Sequence, residues 1–374
     1  MSYSSLADRT TTDLTVKTKV LPALRTAART WTRELTRVVF EQSSSMLGYM
    51  GSIQPGANPE LYDVEVVRNI PYVEGAGEEN FLDVYRPVTH SGPWPVVLYI
   101  HGGSFRIMSK DSHWMMAMAY ARRGYLVVNV NYRLAPRHRY PAALQDVSKA
   151  WLWVLRNAHR FGGDPSRIVV AGESAGGNLA AALAIETTFA RPEPWAREVF
   201  EAGRVPDAVV AGCGILQVSD PERFGRDSSL PAIVLDRILE VRDGYYPKES
   251  VGPDGRPSLA DPLLVLESDE RPARALPPFF VPVGGADPIV SDSIRLGEAL
   301  ERRGSRVEVR VYAGEPHAFT ALTWRRQAKA AWKDTHEFLS SRLPAWIDPL
   351  RSRPAERMKR SIPVRDWIVD RLAA

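Results

Sequence analysis

The chain has 374 residues, of which 44% are hydrophobic and 25% charged, and its formal net charge is +4. This composition is typical of a folded globular protein and excludes a largely disordered chain. The sequence contains no run of about 20 apolar residues, which is the length that a membrane-spanning helix needs. Cys213 is the only cysteine, so no internal disulfide can form. Together with a start that lacks a signal-peptide pattern, the lone cysteine predicts a cytoplasmic protein.

The N-terminal region contains an amphipathic helix, predicted over residues 20–39, in which apolar residues and arginines recur on two different faces. Residues 1–39 and 351–374 each carry a surplus of four basic over acidic residues. Helices edged with arginine are usually just solvated, so we expect neither a nucleic-acid partner nor stable membrane insertion. Retention on heparin or on anionic vesicles at low and moderate salt would reveal such partners.

Strands and helices alternate through the middle of the chain, which predicts an α/β fold with a mostly parallel central sheet flanked by helices. The first two strands alternate apolar and polar residues and predict an antiparallel edge. Residues 217–277 interrupt the alternation with frequent Pro, Asp and Arg and predict an insertion over the carboxyl edge of the sheet. Strands are predicted at 64–67, 80–85, 95–100, 125–130, 169–173, 208–213, 278–283 and 307–312, and helices at 142–161, 175–189, 293–303 and 324–343, with a short helical piece at 232–241 inside the insertion.

A Gly-x-Ser-x-Gly turn joins one of these strands to a helix of small residues, with Ser174 at its centre. Such a turn is typical of a nucleophile elbow, because glycines are needed where a side chain would collide with the neighbouring strand or helix. Ser174 would then stand exposed at a helix N-terminus, where the amide of Ala175 and the helix dipole favour an oxyanion.

A serine nucleophile needs an imidazole that takes its proton and a carboxylate that orients the imidazole. Asp287 directly follows the strand predicted at 278–283, and His317 follows the strand predicted at 307–312. Carboxyl ends of parallel strands share one edge of the sheet, so we expect both side chains near Ser174. The order Ser, Asp, His is that of the α/β-hydrolase fold.

An acyl-transfer intermediate also needs hydrogen-bond donors for its oxyanion, and the segment after the strand at 95–100 can supply them. The backbone amides of Gly102, Gly103 and Ser104, with that of Ala175, are the candidates. No metal-ligand spacing, phosphate loop or dinucleotide-binding turn is found, so we expect neither a metal nor a cofactor.

These motifs together resemble the hormone-sensitive lipase family of α/β-hydrolase esterases, of the bacterial carboxylesterase and lipase type and similar to arylacetamide deacetylase. Two positions depart from the family pattern, since Ser104 and Ala318 stand where glycine is usual. The resemblance implies carboxylic-ester substrates of short to medium acyl chain. The motifs are His101–Phe105, Tyr132–Pro136, Tyr140–Ala143, Gly172–Asn178, Asp287–Pro288 with Asp292, and His317.

The resemblance also implies a division of the chain, with residues 1–60 and the 217–277 insertion forming a helical cap. Residues 61–345 would form the catalytic domain and residues 346–374 a basic extension. An amidase or deacetylase with the same triad remains an alternative, and sequence does not separate it from an esterase. A non-catalytic small-molecule receptor is a weaker alternative, because receptors of this fold have lost the catalytic histidine. A homodimer is left open.

Overall fold

The computed structural model describes residues 58–88, 92–227, 230–247, 252 and 255–343, and they form one sheet of eight strands. The predicted strands are all present, with bounds that differ mostly by a few residues. They are β1 (Val64–Pro71), β2 (Phe81–Pro87), β3 (Trp94–Ile100), β4 (Leu126–Val130), β5 (Gly163–Glu173), β6 (Ala208–Gly212), β7 (Phe279–Gly284) and β8 (Val307–Tyr312).

The strands lie in the order β1-β2-β4-β3-β5-β6-β7-β8. β1 pairs antiparallel with β2, and β2 antiparallel with β4, whereas every other neighbouring pair is parallel. The predicted antiparallel edge and the mostly parallel sheet are therefore confirmed. β5, which leads to Ser174, lies between β3 and β6 in the middle of the sheet.

Helices cover both faces of this sheet. The helices predicted at 142–161, 175–189, 232–241, 293–303 and 324–343 are confirmed with shifted bounds, and the structure adds several short ones that the sequence pattern did not indicate. They are α1 (Trp114–Ala121), α2 (Ala142–Asn157), α3 (Ala175–Thr188), α4 (Pro194–Glu201), α5 (Arg223–Asp227), α6 (Ala232–Tyr245), α7 (Pro262–Glu267), α8 (Val290–Arg302) and α9 (Arg326–Ser340).

The core consists of two main layers because successive side chains of a strand point to opposite faces of the sheet. In β3, Val96 and Leu98 pack into the larger layer, with residues of α2, α3, α4 and α8. Val97 and Tyr99 pack into the smaller layer, with residues of α1 and α9. Both faces are buried, which explains why the central strands are continuous apolar runs rather than alternating ones.

The insertion at 217–277 has two parts that differ in position. α6 lies against the loop after β3, where the ring of Tyr245 stacks on Phe105 with centroids 3.7 Å apart, and Arg106 forms an ion pair with Glu240 at 2.5 Å. α7 also packs into the core, and its Leu263 is fully buried. The segment before α7 borders the carboxyl edge as well, because the carbonyl of Ala260 accepts from Asn178 in the first turn of α3 at 2.9 Å.

Several predicted features lie outside the described residues. These are the amphipathic helix at 20–39, most of the N-terminal segment 1–60, and the basic extension at 346–374. Among the residues that the structure describes, none of the helices has both the length and the apolar character that crossing a membrane requires.

Candidate active site

The turn between β5 and α3 holds Ser174 in a backbone conformation that side chains rarely adopt. Its φ is 55° and its ψ is −118°. A Cβ atom on Gly172 would lie 2.4 Å from the carbonyl oxygen of Gly176, and one on Gly176 would lie 2.1 Å from that of Ile100. The two glycines are required because the chain approaches itself too closely for any side chain, which is the geometry of a nucleophile elbow.

Ser174, His317 and Asp287 form one chain of hydrogen bonds. Nε2 of His317 lies 2.9 Å from Oγ of Ser174, and Nδ1 of His317 lies 2.8 Å from Oδ2 of Asp287. A carboxylate only accepts, so Nδ1 carries the proton and Nε2 is left to accept the serine proton. Three residues that are distant in sequence thus meet in the arrangement that activates a serine hydroxyl.

The surroundings of His317 favour its protonated form. Burial lowers the pKa of the imidazole, but the hydrogen bond and negative charge of Asp287, with a smaller contribution from Glu173, raise that pKa above its usual value overall. The carboxylate of Asp287 is fully buried, whereas the His317 side chain keeps 35% of its surface exposed. The imidazole can therefore reach a substrate while its orienting acid is shielded from water.

This raised pKa gives a testable pH dependence. Below the pKa, His317 is protonated and cannot accept the serine proton, so we expect kcat/KM for an ester to fall about tenfold per pH unit on the acid side. The fall should begin above pH 6.5, about the usual pKa of histidine. Initial rates at subsaturating substrate across pH 5 to 9 measure it, and a flat profile from pH 5 to 8 would rule out this role for His317.

The loop after β3 lies directly beside the nucleophile. A Cβ on Gly102 would lie 3.5 Å from that of Ser174, and the backbones of Gly103 and Ser104 have φ of 106° and 56°. The amide of Gly102 is already engaged, because it donates to Nε2 of His113 at 3.4 Å. Among the described residues, no hydrogen bond from the amides of Gly103 or Ser104 is found. The amide of Ala175 belongs to the first turn of α3, where helix amides have no partner within the helix.

His101 anchors the start of this loop. Its ring stacks on Tyr132 with centroids 4.2 Å apart, and its Nδ1 donates to the carbonyl of Gly102 at 2.7 Å. Burial, and then the neighbouring His113, lower the pKa of His101 to about 3. The ring is therefore neutral at physiological pH and serves as a fixed hydrogen-bond donor rather than as a base.

Both departures from the family pattern fall on left-handed backbone. Ser104 has a φ of 56° and Ala318, next to His317, has a φ of 54°. A residue with a Cβ adopts this conformation at a cost of about 1–2 kcal/mol, whereas glycine adopts it freely. The two substitutions therefore keep the loop conformation and add backbone strain beside Ser174 and His317.

One cluster among the described residues has the atoms to hold a metal ion, formed by Cys213, Asp287 and His317 within 4.8 Å of one another. A thiol binds metals as the thiolate. Burial, followed by the charges of Glu173 and Asp287, raises the pKa of Cys213 well above its usual value. The thiol stays protonated, and the other two members are hydrogen-bonded to each other, so the cluster does not favour a metal.

The remaining motif residues form ion pairs that hold loops around the site. Nη2 of Arg223 donates to both carboxylate oxygens of Asp292 at 2.6 Å, and Asp292 also accepts from the amide of Leu216 at 2.7 Å. Arg133 forms a two-point contact with Asp146. These buried pairs hold the loops that follow β6 and β4, and none of them contacts the Ser174 hydroxyl.

Three side chains near the site were not singled out by the sequence pattern, namely His113, Glu173 and Thr320. Oε1 of Glu173 lies 3.4 Å from Nε2 of His113, and Thr320 donates to Oε2 of Glu173 at 3.1 Å. Glu173 directly precedes Ser174 in the elbow, and this position in the sequence could have identified Glu173 as a residue near the site. Nothing in the spacing of His113 or Thr320 indicated that they lie here.

Comparisons with known proteins show which proteins this chain resembles. A family model described as alpha/beta hydrolase fold matches residues 97–321. Carboxylesterase NlhH of Mycobacterium tuberculosis is 35% identical over 230 residues, which cover 60% of this chain and 66% of NlhH, just under two thirds of that protein. Esterase LipI of the same organism is 34% identical over 271 residues, which cover 67% of this chain and 73% of LipI.

A solved structure is also similar over most of the chain. The hyperthermophilic esterase from the archaeon Pyrobaculum calidifontis superposes with a TM-score of 0.63 at 28% identity. The match covers 83% of this chain and 94% of that esterase. The fold of this chain therefore has a counterpart in a protein named as an esterase.

Proposed function

The chain belongs to the α/β-hydrolase fold family, in its hormone-sensitive lipase-like group, and from this premise we propose that it is a serine carboxylesterase that cleaves carboxylic esters of short to medium acyl chain. The observation that carries the proposal is the hydrogen-bonded chain from Ser174 through His317 to Asp287. Relatives named as carboxylesterase and esterase support the same class of reaction.

In the first half of the reaction, Oγ of Ser174 attacks the carbonyl carbon of the ester while its proton passes to Nε2 of His317. The tetrahedral intermediate carries its negative charge on the former carbonyl oxygen. When it collapses, the bond between the carbonyl carbon and the alcohol oxygen breaks, and the leaving alcohol takes the proton from His317. The acyl group is left as an ester of Ser174.

In the second half, a water molecule attacks the acyl carbon while His317 takes one of its protons. The new tetrahedral intermediate releases Oγ of Ser174, which regains its proton from His317, and the carboxylic acid departs. The carboxylate of Asp287 stays ionised throughout and stabilises the imidazolium that forms in each half. No group outside the chain is needed for either step.

We assign the oxyanion donors to the amides of Gly103, Ser104 and Ala175, and we assign Gly102 to anchoring the loop through His113. The support is that the Gly102 amide already has an acceptor, whereas no hydrogen bond from the Gly103 or Ser104 amide is found among the described residues. Donors held in place before the reaction are typically worth about 10²- to 10³-fold each in kcat.

We further propose that α6, together with the N-terminal segment 1–60, forms a cap that walls the acyl or alcohol pocket. The contacts of α6 with Phe105 and Arg106 support this, because they place the helix on the loop that borders Ser174. A cap made in this way sets which chain lengths fit and carries no chemistry itself.

The alternative within the same chemistry is an amidase or deacetylase, since this triad also cleaves an amide if the leaving amine is protonated. A receptor without catalysis is disfavoured by the presence of His317 within 2.9 Å of Ser174. The cytoplasmic location, the homodimer and the lack of a nucleic-acid partner stay predictions from the sequence.

A panel of p-nitrophenyl esters with acyl chains from two to twelve carbons, assayed beside the matching anilides, tests the substrate class. We expect kcat/KM to peak at short to medium chains and to exceed that of the corresponding anilide by about 10²-fold or more, because p-nitrophenoxide leaves without the protonation that the amine of an anilide requires.

Anilide turnover equal to ester turnover would favour the amidase. If neither substrate is turned over and Ser174 does not react with a small organophosphate, the receptor is favoured. Running the panel on a chain lacking residues 1–40 tests the cap. A folded truncation whose Ser174 still reacts with a small organophosphate but whose chain-length profile is unchanged would contradict the cap.

A further inference from the structure

Glu173, the residue before the nucleophile, lies under the site rather than in it. Side chains of β5 alternate between faces, so Glu173 shares a face with Val169 and Ala171, which pack into the smaller core layer. α1 and α9 cover that face, and the loops at their N-terminal ends reach over Glu173. Glu173 is only 7% exposed, and it lines a small pocket with Tyr99, Thr320 and Trp332.

The first loop that touches Glu173 is the one that carries the proposed oxyanion donors. His113, the residue before α1, places Nε2 3.4 Å from Oε1 of Glu173 and 3.4 Å from the amide of Gly102. The other ring nitrogen of His113 lies 3.2 Å from the carbonyl of Ser109 and 2.9 Å from Oγ of Ser112. The carbonyl of Ser109 only accepts, so Nδ1 of His113 is the donor and Nε2 accepts from the Gly102 amide. Oε1 of Glu173 therefore lies against the ring edge that contacts Gly102, without a hydrogen bond from the ring.

The second loop is the one that carries His317. Thr320 lies three residues later, in a short turn (Phe319–Ala321), and its hydroxyl donates to Oε2 of Glu173 at 3.1 Å. The carbonyl of Thr320 accepts from Nε1 of Trp332 in α9 at 3.1 Å. The turn that follows His317 is thus fixed between the end of β5 and α9.

We propose that Glu173 is a positioning residue that ties the oxyanion loop, through His113, and the His317 loop, through Thr320, to the strand that carries Ser174. A carboxyl group this deeply buried is costly to retain, and its two oxygens contact different loops, since Oε2 accepts from Thr320 and Oε1 lies against the His113 ring. The proposal rests on the proposed serine-hydrolase function, because positioning matters only if Ser174, His317 and the loop amides act together.

The energetic reason is that catalysis depends on small displacements. An amide or imidazole that is displaced by about 1 Å can lower the rate about 10²-fold, although the substrate still binds. Without the Glu173 carboxyl group, both loops lose their contact with β5, while the pocket surface that binds substrate keeps its own side chains. We therefore expect the loss to appear in kcat rather than in KM.

Kinetics of three variants of the full chain test this with a short-chain p-nitrophenyl ester. Glu173→Ala should lower kcat about 10- to 100-fold with KM changed less than about threefold. Glu173→Gln should restore kcat to within about threefold of the unaltered chain, because its amide keeps an acceptor for Thr320 and gains a donor toward His113. Thr320→Val, which removes one of the two contacts at nearly constant volume, should lower kcat about three- to tenfold.

The double variant with Glu173→Ala and Thr320→Val should be no slower than Glu173→Ala alone, because Thr320 acts through Glu173.

Glu186→Gln is the matched control. Glu186 is also fully buried and accepts from a hydroxyl, that of Ser148 at 2.7 Å, but its helix side faces away from both loops. We expect its kcat to equal that of the unaltered chain, with folding of every variant verified by thermal unfolding.

A kcat for Glu173→Ala equal to that of the Glu186→Gln control would overturn the proposal, as would a rise in KM at constant kcat or additive losses in the double variant. If Glu173→Ala does not fold, Thr320→Val decides, since an unchanged kcat in that variant overturns the proposal by itself. Failure of the proposed function looks different, because the unaltered chain would then show no ester turnover that depends on Ser174.

Discussion

Replacing Ser174 by alanine is expected to lower kcat for ester hydrolysis by about 10⁴- to 10⁶-fold, because the change removes the atom that forms the acyl-enzyme. The hydroxyl makes a hydrogen bond to His317 at 2.9 Å. KM should change little, and the melting temperature should stay close to that of the unaltered chain, because only one oxygen atom at the surface of the elbow is lost. Residual turnover of a p-nitrophenyl ester, measured with the protein at high concentration, gives the magnitude.

Two controls make this result specific to the nucleophile. Ser340→Ala changes a serine at the end of α9 that hydrogen-bonds only the carbonyl of Glu337, and it should leave kcat unchanged. A fluorescent organophosphate should label the unaltered chain and Ser340→Ala, but not Ser174→Ala. Turnover of Ser174→Ala near the rate of the unaltered chain would show that the nucleophile is another residue.

Replacing His317 by alanine is expected to be nearly as severe, lowering kcat by about 10⁴-fold or more, because within the described part of the chain no other base is hydrogen-bonded to Oγ of Ser174. Combining His317→Ala with Ser174→Ala should lower kcat hardly further than either change alone. The members of a triad act as a unit, so removing the first disables the second. Parallel kinetics of the two single variants and the double variant measure this non-additivity.

His159→Ala is the matched control for this series. His159 is exposed in the short turn after α2, far from the hydrogen-bonded chain, and its replacement should leave kcat unchanged. Losses that add on a logarithmic scale in the double variant would contradict the assignment, because they would mean that Ser174 and His317 contribute through separate steps.

The positions of strands and helices followed from local patterns. β3 and β4 are runs of apolar residues with sharp polar boundaries, and their observed bounds differ from the predicted ones by a single residue at their starts. The short helices α1 and α4 were not indicated. Both contain eight residues, which is too few for a 3.6-residue periodicity to stand out from chance.

The approach of Ser174, Asp287 and His317 could also be predicted, because each follows its own strand and parallel strands present their carboxyl ends at one edge. The behaviour of Gly102 could not. Whether a loop amide faces a substrate or an internal acceptor depends on His113, which is eleven residues away and reaches the loop only because α1 folds back over the sheet.

By itself the sequence determined the fold class, the approximate positions of the strands and the order of the candidate triad, because these depend on apolar periodicity, on glycine at a tight turn and on polar residues at strand ends. Only the tertiary structure decided which buried polar groups meet. The contacts of Glu173 with His113 and Thr320 join residues 60 and 147 positions apart. Such contacts arise from how α1 and α9 pack on one face of the sheet, and packing is a property of the whole chain that no local pattern encodes.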